Sequence, residues 1–358
     1  MPYDIQSRLQ TYSKVSSSLA HLDNAQLASM LADSDREHGW GGTHIVKVGG
    51  NKVFVKLVPL TDLEYENPFS TRNLYDMPMY YNYGVGSAGF GAYRELVAHI
   101  KTTGWVQDGS CTNFPLLYHY RIVPFIGEPN PMPDDGLRGY IGYWGGDANI
   151  ERYIVERGRA RHQLVLCLEY FPHVANMWLN KNASHWESFV RELTEAASFM
   201  RSKGMIHFDI HFANVVLDGR SPYVADFGLA LDKSFHLTEA EQRFFSWHID
   251  YDLAYIPSAV GGCVFNYFQN ASEHSKSKLQ DLYGVSTDDY RGTVTALIEN
   301  IEAIHSAKLI KLDDYYVDYV IRHRELILAM QRFFSSLRDN HKKNTPFPTS
   351  RVKLLLKG

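Results

Sequence analysis

The stretch KGMIHFDIHFANVVLDGRSPYVADFGLA, residues 203–230, decides how this chain folds. Inside it, two short apolar runs, Val215-Val216-Leu217 and Tyr223-Val224-Ala225, flank an Asp-Gly turn and predict a two-stranded ribbon. Asn214 precedes the first run and Asp226 follows the second. Two polar side chains that are distant in sequence are therefore predicted to lie at neighbouring strand ends.

Three oxygen-bearing side chains of this stretch suit the transfer of a phosphoryl group. Such a transfer needs a carboxylate that orients or deprotonates the attacking hydroxyl, and oxygen ligands for the Mg²⁺ that neutralises the phosphates. Asp209 is the candidate base. Asn214 and Asp226 are the candidate metal ligands, because Mg²⁺ prefers hard oxygen donors.

The same residues resemble the protein kinase superfamily, whose catalytic loop has the form H-x-D-x-x-x-x-N and is followed by D-F-G. His207, Asp209 and Asn214 match the first pattern, and Asp226-Phe227-Gly228 matches the second. The resemblance implies an α+β, bilobal fold with a small antiparallel sheet lobe and a mainly helical large lobe. It also implies that the cofactors are ATP and Mg²⁺.

Two positions depart from the pattern of many protein kinases. Phe208 stands where arginine is usual, so activity is expected not to depend on a phosphorylated activation loop. His211 replaces the usual lysine, as in the small-molecule branch of the superfamily, and is a further candidate catalytic residue. No A-P-E follows the D-F-G, which weakens the case for peptide recognition.

The resemblance also predicts how the chain is divided. The expected parts are a helical extension at 1–38, a small lobe at 39–170 with insertions at about 59–91 and 127–160, a helical large lobe at 171–341, and a solvated basic tail at 342–358.

The small lobe is expected to hold the nucleotide. A Gly-Gly-Asn turn between two β-branched runs predicts a hairpin whose second strand carries Lys56. Lys56 resembles the kinase lysine that contacts the α- and β-phosphates, and Glu95, on a predicted helix at 92–100, is its candidate partner. Glu64 and Glu66 compete for that role but follow Lys56 too closely along the chain.

Two glycine-rich runs are candidates for contact with phosphate. Gly39, Gly41 and Gly42 precede the hairpin and could let backbone amides approach the nucleotide, although their spacing is not G-x-G-x-x-G. An ordinary loop is the alternative interpretation. The run GVGSAGFG at 84–91 is a second candidate, although it follows the lysine.

The apolar run at 164–172 predicts a buried strand that continues into a connector. In a kinase-like fold this strand is the hinge, where backbone groups near Glu169 and Phe171 hydrogen-bond adenine. Farther on, Ser184-His185-Trp186-Glu187 fits a capping box, and the apolar residues from Phe189 to Met200 recur with helical spacing. This helix leads into the catalytic loop.

Composition limits the classes of partner. The 358 residues carry a formal net charge of −4, so no basic field favours nucleic acid or an anionic membrane. No stretch approaches the roughly 18 apolar residues of a membrane span. The three cysteines are far apart and odd in number, which suits a reducing compartment, and a cytoplasmic location is expected.

The acceptor of the phosphoryl group stays open. A Ser or Thr side chain of a protein is favoured, because the D-F-G-L-A run and the Ile-His before Asp209 are closer to that branch of the superfamily. A small-molecule hydroxyl is the alternative, favoured by His211 and by the large insertions. A pseudokinase scaffold is a third hypothesis. The sequence does not determine the oligomeric state.

Overall fold

A computed structural model gives the structure of the chain and describes residues 4–32, 34–37 and 42–357. The fold class is α+β, as predicted, with a small antiparallel sheet and many helices. No helix within the described ranges is both long enough and apolar enough to cross a bilayer. Gly39 and Gly41, two of the predicted phosphate-facing glycines, lie outside the described residues.

The secondary structure follows the chain in this order. The strands of the described ranges are β1 (Asp35–Glu37), β2 (Gly42–Val48), β3 (Asn51–Leu60), β4 (Leu117–Pro124), β5 (His162–Glu169), β6 (His173–Val174), β7 (Met205–Ile206), β8 (Val215–Leu217), β9 (Pro222–Val224) and β10 (Leu231–Asp232). The helices there are α1 (Ile5–Ala20), α2 (Asn24–Ala32), α3 (Asp62–Glu66), α4 (Ala92–Gln107), α5 (Asp134–Tyr143), α6 (Ala148–Gly158), α7 (Ala175–Leu179), α8 (Trp186–Lys203), α9 (Glu239–His248), α10 (Tyr251–Gly262), α11 (Val264–Gln269), α12 (Glu273–Tyr283), α13 (Tyr290–Glu299), α14 (Ile301–Ser306), α15 (Asp314–Asp339) and α16 (Thr349–Leu355).

The chain forms two compact units. The first contains Met1–Pro172, His207–Asp209 and Tyr223–Phe245, and the second contains His173–Ile206, Ile210–Pro222 and Ser246–Gly358. Both units are therefore assembled from segments that are discontinuous in sequence.

The first unit is built on a five-stranded antiparallel sheet with the order β1-β2-β3-β5-β4. The predicted hairpin is present, since Val48 of β2 pairs with Asn51 of β3. Gly49 and Gly50 form its two-residue turn with φ of 55° and 85°, a conformation that glycine adopts without a steric cost. The helical prediction for residues 1–38 holds for α1 and α2 but is wrong at 35–37, where backbone pairing with β2 makes an edge strand.

Helix α4 covers one face of this sheet. Its apolar residues pack against alternate residues of β3 and β5, as the two-residue period of a strand requires. The buried cluster consists of Val58, Leu60, Ala92, Tyr93, Leu96, Leu117, Leu164, Leu166 and Leu168. The period places the even-numbered residues of β3, Lys56 included, on the side of α4.

The two predicted insertions pack together. Tyr75, Met77, Tyr81 and Phe90 of the first share a buried cluster with Ile141, Trp144, Ile150 and Tyr153 of the second. Residues 127–160 were predicted only as an irregular insertion, whereas the structure forms α5 and α6 there. The insertions are thus one structural feature with its own core.

In the second unit, α8 buries the predicted apolar face, including Phe189, Leu193 and Met200. The helix ends at Gly204 in the left-handed conformation, as helices commonly do. The predicted capping box is wrong, because Ser184 lies in a turn of 3₁₀ helix (Ala183–His185) that leads directly into α8. The long helix α15 packs against α8, α10, α13, α14 and α16.

The predicted solvated tail is also wrong. Residues 349–355 form α16, and Val352 is fully buried. Lys343 Nζ donates to the carbonyl oxygens of Leu337 and Arg338, 3.2 and 2.7 Å away, at the end of α15. A lysine there satisfies carbonyls that have no partner within the helix, so its positive charge does not imply a free end.

Candidate functional site

Lys56 connects two carboxylates of the first unit. Its Nζ lies 2.7 Å from Glu95 Oε1 on α4 and 2.8 Å from Asp226 Oδ1. The side chains of Lys56 and Glu95 are 13% and 5% exposed, whereas Asp226 is 43% exposed. The predicted pairing of Lys56 with Glu95 is therefore present, and the carboxylate of Asp226 completes a three-charge cluster that is open on the side of Asp226.

The charges of this cluster reinforce one another. Burial alone lowers the pKa of Lys56, but Asp226 and Glu95 together raise it above its usual value. Burial is the largest influence on both carboxyl groups and raises their pKa values, yet Lys56 acts in the opposite direction, helped by His99 at Glu95 and by the N–H of Gly228 at Asp226. Together these groups hold both pKa values below their usual range. At neutral pH the cluster therefore carries one positive and two negative charges.

Glu64, which competed for the role of lysine partner, stabilises the local backbone instead. Its carboxylate accepts the N–H of Thr61, and its own N–H donates to the Thr61 hydroxyl oxygen, so the two residues form a capping box at α3. The Thr61 hydroxyl also donates to the Glu64 carboxylate. The other carboxylate oxygen accepts the N–H of Ala92 at 2.8 Å, at the start of α4. Glu64 thus positions the helix that carries Glu95.

The Asp226-Phe227-Gly228 turn has a strained backbone. Asp226 has φ of 58°, an unusual value for a residue other than glycine, and its Oδ1 accepts the N–H of Gly228 at 3.2 Å. Such strain persists only where surrounding contacts impose it, and it concentrates at functional sites. A Cβ at Gly228 would lie 3.2 Å from Asp226 Oδ1, which is a tight contact, so a larger residue would crowd the charge cluster.

The loop that carries Asp209 is tied to the same turn through His207. The buried His207 Nδ1 accepts the N–H of Asp209 at 3.2 Å, so its Nε2 donates to the carbonyl of Ala225 at 2.9 Å. The ring of Phe227 packs 4.9 Å from the ring of His207. Asp209 and Asp226 are therefore positioned by one connected set of contacts.

Phe208 occupies the position at which the resemblance led us to expect arginine. Its φ of 64° places the aromatic ring in the interior, where it stacks on Phe244 at 5.5 Å and lies 6.3 Å from Tyr83. The side chain is fully buried. An apolar contact thus links the loop that carries Asp209 to the segment that follows the Asp226-Phe227-Gly228 turn.

That following segment, residues 231–245, is bound to α4 by charges that sequence reasoning missed. Arg94 Nη2 lies 2.5 Å from Glu241 Oε1, and Lys101 Nζ lies 2.6 Å from Asp232 Oδ2. Burial lowers the pKa of Arg94, while Glu241 opposes that shift. One signal was available, because Arg94 is an arginine in the apolar pattern of a predicted helix, which implies a buried anion.

Asn214 and His211 belong to the second unit. They share a turn in which the N–H of Asn214 donates to the carbonyl of His211 at 2.8 Å, and the N–H of Ala213 donates to His211 Nδ1 at 3.2 Å. His211 also lines a cavity of about 300 Å³ together with polar residues such as Asn176 and Arg338. The role of Asn214 as a metal ligand stays a prediction.

The predicted adenine-binding residues make structural contacts. The N–H of Glu169 donates to the carbonyl of Leu116 at 2.8 Å, so this group is not available to a nucleotide. The carboxylate of Glu169 forms a buried ion pair with Arg8 of α1 at 2.7 Å. Phe171 stacks on Tyr223 with their ring centroids 4.0 Å apart. The role of Arg8 was not predicted, because no local sequence pattern indicates that Glu169 is its partner.

Of the three glycines predicted to face phosphate before the hairpin, the structure describes Gly42. It begins β2 and pairs with Leu57, next to Lys56. A Cβ there would lie 3.2 Å from a terminal carbon of the Leu57 side chain, so Gly42 packs closely within the hairpin.

The donor set of the first unit fits a metal-bound polyphosphate. Asp226 is ionised and partly exposed, and its carboxylate oxygens are the hard donors that Mg²⁺ prefers. Lys56 is held next to it by two carboxylates, as a phosphate-binding cation requires. No protein-family model matches this chain, and a search of curated proteins also found no match.

Proposed function

We propose that the chain is a kinase of the bilobal, protein kinase-like fold that transfers the γ-phosphoryl group of ATP to a hydroxyl. The observation that carries the proposal is the contact of Lys56 with both Glu95 and Asp226, at 2.7 and 2.8 Å. Along the chain, Glu95 lies 39 positions and Asp226 lies 170 positions from Lys56. Their convergence on one lysine is explained by the binding of a charged ligand better than by stability.

Each residue has a defined role in this proposal. Lys56 contacts the α- and β-phosphates, and Glu95 holds its ammonium in place. Asp226 would hold Mg²⁺, which neutralises charge on the phosphates when it is bound, and Asn214 stays the second ligand predicted from the sequence. Asp209 orients the acceptor hydroxyl and accepts its proton as the new P–O bond forms and ADP leaves.

The acceptor is proposed as a Ser or Thr side chain of a protein, with a small-molecule hydroxyl as the second candidate. His211, in place of lysine, favours the second candidate. The ion pairs of Arg94 and Lys101 favour it as well, because they bind the 231–245 segment to α4. A scaffold without catalysis would place no chemical demand on Lys56, Asp209 and Asp226 together.

The proposal is tested with two variants and a control. Asp209→Ala is expected to lower turnover by about 10²–10⁴-fold while Mg·ATP binding is retained. Asp226→Ala is expected to weaken the binding of Mg·ATP itself. Asp135, whose side chain is 94% exposed, offers the control variant Asp135→Ala.

The assay combines calorimetric binding of Mg·ATP with radiolabelled phosphate transfer in a cell lysate, read separately on proteins and on metabolites. Label on protein supports the first acceptor class, and label on metabolites supports the second. Turnover by Asp209→Ala equal to that of Asp135→Ala would refute the assigned base. A purified chain that transfers no phosphate to any acceptor would refute the kinase proposal and favour the scaffold.

A further inference from the structure

The glycine-rich run Gly84–Gly91, which we call the acceptor loop, contacts both catalytic segments of the first unit. A Cβ at Gly84 would lie 2.0 Å from Asp209 Oδ1 and 2.9 Å from its Cγ. A Cβ at Gly89 would lie 2.3 Å from the carbonyl oxygen of Gly228. Real side chains do not approach this closely, so the loop backbone lies directly against Asp209 and the Asp226-Phe227-Gly228 turn.

Gly84 is glycine for a specific reason. Its φ lies outside the left-handed region, so its backbone conformation would accept any residue. The three atoms nearest to its missing side chain are two of the Asp209 carboxylate and the carbonyl oxygen of Phe208. The contact with Asp209 therefore accounts for the glycine, whereas flexibility does not.

Hydrogen bonds hold the acceptor loop in this position. Tyr140 of α5 donates its hydroxyl to the carbonyl of Gly86 at 3.0 Å, and the hydroxyls of Tyr140 and Tyr81 lie 2.6 Å apart. The hydroxyl of Tyr81 accepts the N–H of Ala88 at 3.2 Å. Val85 and Ala88 also pack against the cluster shared by the two insertions. Both insertions thus support one loop.

These hydrogen bonds also argue against a phosphate-binding role for the loop. The N–H of Val85 donates to the carbonyl of Tyr83, the N–H of Ala88 to Tyr81, and the N–H of Gly89 to the hydroxyl of Ser87. A loop that cradles phosphate presents consecutive amides to the ligand. The acceptor loop instead uses three of its amides in hydrogen bonds to Tyr81, Tyr83 and Ser87, and its backbone lies against a carboxylate.

We propose that the acceptor loop positions Asp209, with Gly84 as the positioning residue. The loop also lines the path by which the acceptor hydroxyl reaches Asp209. This inference rests on the proposed function, in which Asp209 is the base. It gives the two insertions a role, which is to hold residues 84–91 against the base. A methyl group at Gly84 displaces the carboxylate, and a displacement of about 1 Å can cost roughly 10²-fold in rate.

The first test measures the contact without reference to activity. Gly84→Ala is combined with Asp209→Ala in a cycle of four proteins, and thermal unfolding is followed by circular dichroism. Gly84→Ala is expected to lower the unfolding midpoint of the parent and to have little effect once the Asp209 carboxylate is gone. Gly104→Ala is the control, because Gly104 has an ordinary φ and its missing Cβ would meet no atom within 4 Å outside the neighbouring backbone of α4, so its unfolding midpoint should not fall.

The second test measures positioning. Gly84→Ala and Tyr140→Phe are assayed for binding of Mg·ATP and for its hydrolysis, with water as the acceptor. Gly84→Ala is expected to lower kcat by about 10²-fold with nucleotide affinity unchanged. Tyr140→Phe, which loses only the hydroxyl that holds Gly86, is expected to lower kcat less and in the same direction.

The possible outcomes separate this inference from the proposed function. The positioning role would be overturned if Gly84→Ala had the same kcat as Gly104→Ala. It would also be overturned if Gly84→Ala lowered nucleotide affinity and left kcat unchanged. An equal effect of Gly84→Ala with and without Asp209 would overturn the contact. If the parent chain hydrolyses no ATP, the same variants are compared in the transfer of labelled phosphate to the acceptor found in the lysate. Absence of both activities would refute the proposed function and the catalytic part of this inference, and the unfolding cycle would still decide the contact.

Discussion

The buried ion pair between Arg94 and Glu241 allows a prediction whose size follows from its burial. The two side chains are 2% and 1% exposed. Glu241→Gln keeps the shape of the side chain but leaves the guanidinium buried without a counter-ion. Breaking a buried pair from one side costs about 3–5 kcal/mol. A domain of about 150–250 residues loses ~2–4 °C of unfolding midpoint per kcal/mol, so the expected loss is roughly 6–20 °C.

A cycle of variants separates the pair from its surroundings. Arg94→Met and Glu241→Leu each break the pair, and the double variant replaces it with apolar groups, which for buried pairs is often neutral or stabilising. Thermal unfolding of the four proteins should show two destabilised single variants and a double variant that recovers much of the loss. Arg161→Met is the control, because its ion pair with Asp62 is exposed and is worth about 0–1 kcal/mol.

The same variants report on the charge cluster. Arg94 precedes Glu95 on α4, so the pair that binds residues 231–245 also holds the turn of helix that positions Lys56. Nucleotide affinity is therefore expected to fall in both single variants. A Glu241→Gln protein that unfolds within about 1 °C of the parent would refute this account of the pair, since ~3 kcal/mol cannot be lost without a larger shift.

Two further predictions concern other buried charges of the first unit. In the parent, the raised pKa of Lys56 and the lowered pKa values of its carboxylates make their contribution to stability constant between about pH 5 and pH 10. Lys56→Met leaves Glu95 buried beside a second carboxylate, which raises the pKa of Glu95. The free energy of unfolding of this variant, measured in urea, should therefore increase from pH 8 to pH 5. A variant whose free energy of unfolding varies with pH in parallel with that of the parent would contradict the charge cluster. Arg8→Met leaves Glu169 buried without a cation and should cost about 3–5 kcal/mol in urea unfolding, and a smaller effect than that of Arg161→Met would contradict the burial of the pair.

Local patterns were sufficient for much of the site. The Gly-Gly-Asn turn and the β-branched runs beside it predict the hairpin, and the two-residue period of β3 places Lys56 on the same face as Val58 and Leu60. The helical spacing after residue 92 then brings Glu95 to that face. The contact between Lys56 and Glu95 was predictable because each step depends on a few neighbouring residues.

The missed contacts join distant residues. Arg8 and Glu169 are 161 positions apart, and Arg94 and Glu241 are 147 apart. A buried arginine in an apolar pattern implies an anion, but no periodicity indicates which one. Helix α5 was missed for a different reason, because its three glycines lower helix propensity. Its apolar face packs in the cluster shared by the insertions, and this tertiary contact outweighs the propensity.

The acceptor loop shows why glycine content alone could not assign its role. Glycine permits two different arrangements, one in which the backbone presents amides to an anion, and one in which it lies against another group too closely for a side chain. Both produce the same sequence pattern. An ordinary φ at Gly84 with a carboxylate oxygen 2.0 Å from the missing Cβ favours the second arrangement. The two also differ in consequence, because a methyl group would weaken the binding of an anion in the first arrangement and would displace the Asp209 carboxylate in the second.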